Sequence, residues 1–114
     1  KILTIMLQTA YKFGEVHQLA AQIEGGEDKV HFKGIFENGN GGVSLVAFKE
    51  GQSLAEHIAP AELMVCVVEG EIEFTVVDKP HTLKAGEFML VGEGVAHSVV
   101  AKADSKMMLI KVKA

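Results

Sequence analysis

The chain has 114 residues, 48% of them hydrophobic, and a net charge of −4, which describes one domain able to bury about two thirds of its unfolded surface and excludes disorder by composition. All eleven basic side chains are lysines, so the planar fork that grips phosphates and carboxylates in pairs is missing, and nucleic acid is excluded as an expected partner. One cysteine, Cys66, cannot form an internal disulfide, and a cytoplasmic setting is the default.

The opening run KILTIML is too short for a secretory core or a membrane span and reads as a short strand; a first residue other than Met suggests a trimmed or engineered start. No membrane partner is expected. Residues 13–25 set Val16, Leu19, Ala20 and Ile23 at helical spacing ahead of Gly25 and Gly26, which predicts one short helix. His17 beside that stripe is expected to pack or face water. Residues 1–28 are therefore expected to form a strand and a helix packed on a second unit, residues 29–114.

From residue 29 onward short runs rich in Val, Ile, Phe and Thr alternate with turn sequences such as ENGNGG, KEGQ, APAE, VEGE, VDKP and KAGE. Regular punctuation of this kind predicts an all-β sandwich or barrel. GNGG at 39–42 lacks a following helix and a GK[ST], so it reads as a hairpin turn and not a phosphate loop. Pro60 and Pro80 are both expected in turns. Cys66, inside the apolar run LMVCVV, is expected to be structural.

Gly51 is followed by five residues and His57, then Ile58 and Ala59, three residues, Leu63, six residues and Gly70. Later, Gly86 is followed by five residues, Gly92, Glu93, Gly94, two residues, His97, three residues and Ala101. Together these resemble the two motifs of a small single-domain cupin of the conserved-barrel type, over about residues 40–112. Every spacing of the first motif is kept, with Ala59 where the family has a second histidine and Leu63 where it has glutamate. The second keeps its frame with Gly92 for proline and Ala101 for asparagine.

The resemblance implies a jelly-roll barrel, and commonly a homodimer, for which the run ILTIML could add a strand to a neighbouring barrel. It also implies one divalent transition metal, Zn, Ni, Fe or Mn, for which only His57 and His97 keep ligand positions. Glu62, one place before the family's glutamate, is the candidate third ligand, although the two-residue period of a strand turns it to the other face unless a bulge intervenes. Glu56 fails by the same parity, and His81 is expected to be exposed.

Alternation directs positions 57, 59, 63, 65 and 67 inward from one stretch and His97, Val99 and Ala101 from another. The expected ligand pocket is formed by His57, His97, Ala59, Leu63, Val65, Phe48 and Val99, with Val46 and Val67 as further apolar lining. Two readings follow: a small-molecule-binding cupin with two histidines in an apolar barrel, or a divalent-metal-dependent enzyme, a dioxygenase or an isomerase.

Overall fold

The computed structural model describes residues 7–113. Nine strands follow in chain order: β1 (His31–Asn38), β2 (Gly41–Phe48), β3 (Ser53–Ile58), β4 (Glu62–Glu69), β5 (Glu71–Val76), β6 (Lys79–Lys84), β7 (Phe88–Val91), β8 (Ala96–Ala101) and β9 (Ser105–Val112). They make two antiparallel sheets, one ordered β1-β2-β9-β4-β7 and the other β3-β8-β5-β6. This is the expected all-β jelly roll.

The core lies between the sheets because each central strand alternates. Leu63, Val65 and Val67 of β4 are buried while Met64, Cys66 and Val68 between them are half-buried. On β8, His97, Val99 and Ala101 are buried in the same rhythm. They pack with Val46, Phe48, Ile72, Phe74, Leu83 and Met107, and burial of side chains this size contributes about 1.5–3 kcal/mol each.

Turn chemistry holds the register. Asn38 pairs with Gly41 across a two-residue hairpin, and Gly41 has φ +145, where a side chain would run into the Lys111 carbonyl. Only glycine fits there. Ser105, buried at the start of β9, accepts from the Glu71 N–H at 3.0 Å and donates to the Ala103 carbonyl at 2.7 Å, which ties the two sheets together at that corner. Pro80 departs from the expected turn: it is the second residue of β6, at the edge of its sheet, where a missing N–H disrupts no ladder.

The expected helix at 13–25 does not form. The chain makes a single 3-10 turn at Leu19–Gln22, preceded by Gln18 in extended conformation with no side-chain cap. Val16, placed on the apolar stripe by its spacing, is 98% exposed. Ile23 packs instead against Leu45 and Ala47 on the outer face of the larger sheet, and the Lys106 ammonium takes the Ala20 carbonyl at 2.6 Å. Tertiary contacts thus use the groups that a helix would have used.

Of the expected N-terminal strand, residues 1–6 lie outside the described residues, and Gln8 makes only an isolated bridge to Glu37. Among the described residues no helix is long and apolar enough to cross a membrane.

Candidate functional site

β3 and β8 are neighbours in the smaller sheet, and their register sets His57 directly opposite His97. A bulge between Leu54 and His57 turns Leu54, Ala55 and His57 toward the same space despite their uneven spacing. The two imidazole rings stand 4.2 Å apart, centroid to centroid, at 63°. Phe74 supports His97 from β5 with its ring centroid at 5.7 Å.

Each ring is oriented by the same device. Nδ1 of His57 lies 3.0 Å from the Ala55 carbonyl, and Nδ1 of His97 lies 3.0 Å from the Val95 carbonyl. A carbonyl only accepts, so both Nδ1 atoms carry the proton and donate. That leaves Nε2 of each ring as the free nitrogen, a lone-pair acceptor whenever the ring is neutral. His97 is only 4% exposed, and burial pushes its pKa below the usual 6.5; the carbonyl of Val95 works the other way, and neighbouring His57 adds to the lowering. His57 sits at the open edge of the space.

The two rings border a cavity of about 310 Å³ between the sheets, within the range of small-molecule sites. Leu63 and Val65 enter it from β4 and Val99 from β8, as alternation predicts. Phe48 and Ala59 do not line it. Phe48 is buried in the core at the far end of β2, level with Ser105, and Ala59 is buried in the bend after β3, where its backbone bonds Val95 and Gly94. Val46 and Val67 are likewise buried in the packed core and do not line it.

Several lining residues escaped the sequence reading: Phe32 on β1, Leu54 and Ala55 on β3, Phe74 on β5, and Met107, Leu109 and Lys111 on β9. The signal for the last three was present in MMLIKVK, whose alternate positions 107, 109 and 111 share a face. A larger groove of about 730 Å³ between Gln22–Glu24 and Lys29–Lys33 is an open surface trough without converging histidines.

The donor set fits a resident metal poorly. Glu62 points away: its Oε2 accepts from the Glu93 N–H at 2.8 Å, on the surface and outside the cavity. Parity decides this, since the bulge that would have rescued Glu62 lies in β3 and not in β4. His81 is half-buried on β6 opposite Phe74, and His31 donates from Nδ1 to the Glu24 carbonyl at 2.8 Å; neither borders the cavity. Among the described residues no three His, Cys, Asp or Glu side chains converge as metal ligands. Two imidazoles supply no negative charge, and the other ionisable group in the lining is a lysine, whereas protein metal sites normally offer three or more ligands and an anionic one for a hard dication.

Known structures share the architecture. A cupin superfamily protein of Desulfitobacterium hafniense superposes with a TM-score of 0.85 at 22% identity, over 96% of this chain and 99% of that one. A conserved protein of Streptococcus pyogenes gives 0.84 at 20% identity over 91% of each chain. A conserved-barrel cupin domain protein of Leptotrichia buccalis is 34% identical over 82% of this chain, which spans 46% of its length, with a TM-score of 0.78. No match was found among curated proteins. The family model for the cupin domain matches residues 44–113, the stretch that runs from β2 to β9 and carries both histidines, and the chain therefore belongs to the cupin family.

Proposed function

We propose that this cupin is a small-molecule-binding module whose ligand occupies the cavity between the sheets and meets His57 and His97 through Nε2, without a resident transition metal. The observation that carries this reading is the pairing of two oriented imidazoles in a largely apolar cavity of about 310 Å³ that lacks a third metal donor among the described residues. Fixed polar groups in an apolar chamber are how small-molecule sites obtain orientation and specificity.

The test is a thermal melt of untagged, metal-stripped protein with a library of small organic fragments, then with divalent ions. Fragments that raise the melting temperature of the metal-free protein, and lose that effect in Leu63→Trp, support the reading. A ligand at a hundred times its dissociation constant contributes about 2.7 kcal/mol, or a rise of roughly 10 to 20 °C. A rise of that size with Zn, Ni, Fe or Mn alone, abolished by His57→Ala and by His97→Ala, would overturn the metal-free reading and favour the metal-dependent dioxygenase or isomerase instead.

The same reading includes a homodimer as the working form. It is supported by the apolar outer face of the larger sheet, where Phe88 and Leu90 are exposed and Ile23 packs only on Leu45 and Ala47.

A further inference from the structure

The cavity has a sign as well as a size. Lys111 follows Met107 and Leu109 at two-residue intervals on β9, and all three border the cavity. Register sets Lys111 opposite Leu63 on one side and opposite Gly42, which has no side chain, on the other. No ion pair involves Lys111 among the described residues, and no Asp or Glu lines the cavity. Lys111, exposed at the mouth, is thus the one permanently charged residue of the lining.

The imidazoles ask for something different. With each Nδ1 proton committed to a backbone carbonyl, a neutral ring presents only a lone pair at Nε2, and the matching ligand group is a donor such as a hydroxyl. Between Lys111 at the mouth and the imidazoles lie Leu63, Val65, Val99 and Leu109, which suit hydrocarbon. The volume of about 310 Å³ lies at the small end of the range for small-molecule sites, which suits a compact ligand.

We infer that the pocket takes a small aliphatic hydroxycarboxylic acid, its carboxylate on Lys111, its hydroxyl donating to Nε2 of His57 or His97, and its hydrocarbon part against the apolar walls. This rests on the cavity being the binding site proposed above. An ammonium–carboxylate contact at a half-open mouth is a charge-assisted hydrogen bond, and its loss reads as about a tenfold change in affinity.

The experiment is titration calorimetry of untagged, metal-stripped protein with 2-hydroxy-4-methylpentanoate, its amide, which lacks the charge, and 4-methylpentanoate, which lacks the hydroxyl. The imidazole proton signals, followed by NMR in the same titrations, report where each probe sits. The hydroxy acid is expected to bind about tenfold tighter than either analogue, and Lys111→Met to erase the preference over the amide by weakening the acid more than the amide. Equal affinity for acid and amide, or a preference that survives Lys111→Met, overturns the inference. If the acid–amide preference is absent or survives Lys111→Met but the probes still move the His57 and His97 signals, the binding-site reading stands while this one falls. If the probes bind without moving those signals, both fall; if no probe binds at all, this inference fails and the fragment melts decide the other.

Discussion

His97 links the cavity to pH. Its ring is covered by Phe74 and His57 and bonded through Nδ1 to Val95, and burial holds its pKa below 6.5 in the folded state. The unfolded chain therefore binds this proton more readily than the folded one, so stability rises with pH between the lowered folded value and 6.5. The contribution is complete above 6.5 and is lost as pH falls below it toward the folded pKa. Urea midpoints between pH 5 and 8 should fall on the acid side, and His97→Gln should flatten that part of the curve; an NMR titration of the His97 ring with its midpoint at or above 6.5 would refute the account. The placement of this residue was legible through the resemblance of two glycine-framed stretches to the cupin motifs, which puts positions 57 and 97 on neighbouring strands. Lys111 was not, since a lysine near a chain end reads as solvated surface until β9 is known to run between β2 and β4. Phe48 shows the limit of parity: alternation gave its face correctly but not its depth along β2, which decides between cavity wall and packed core.

Strand elements were legible where period and punctuation agreed, as in β4 and in the Gly39–Asn40 hairpin. They were not where a contact distant in sequence intervened. The segment around Leu19 has a helical spacing, but Lys106, on β9, takes its Ala20 carbonyl and lies 3.5 Å from Glu24, a contact no local window contains. The β5–β6 hairpin holds a different conflict. Its turn residues Val77 and Asp78 have φ of 47 and 65, the left-handed pair that favours Asn-Gly in two-residue hairpins. A β-branched residue in that region is strained by about 1–2 kcal/mol, and the Val77 side chain is exposed, so it gains little burial in return. Val77→Asn should therefore stabilise the domain by about 1 kcal/mol, a rise in melting temperature of roughly 4–8 °C. Scanning calorimetry of the two proteins checks this, and an unchanged or lower midpoint rejects strain at the turn.

For the whole molecule, the question is what meets the outer face of the larger sheet. Register lines up Leu90, Met64, Ile110, Val43 and Phe36 in one row across five strands, and Phe88, Cys66, Met108 and Leu45 in the next. Ile23 covers the Leu45 end, but Phe88 is 56% and Leu90 71% exposed, with Phe36 and Val112 also open. With aromatic side chains offering about 150–250 Å² each, this patch exposes about 400–500 Å² of apolar surface, the size of the largest patch on a typical single-chain protein, which is often an interaction site. Interfaces are about 60% apolar, so a second copy seated here would bury about 700–800 Å² per chain, the size of a standard stable contact. A flat row shared by two identical faces also satisfies two-fold symmetry. Light scattering should then give twice the chain mass of 12.2 kDa, and the double substitution Phe88→Lys with Leu90→Lys should give one chain mass while keeping the β-sheet circular dichroism. Deleting residues 1–8 separates this contact from strand addition by the N-terminal run: an unchanged dimer assigns the interface to the sheet face, a monomer assigns it to the run, and a wild-type protein that stays monomeric at about 100 μM, a concentration at which even a micromolar dimer would form, rules out both.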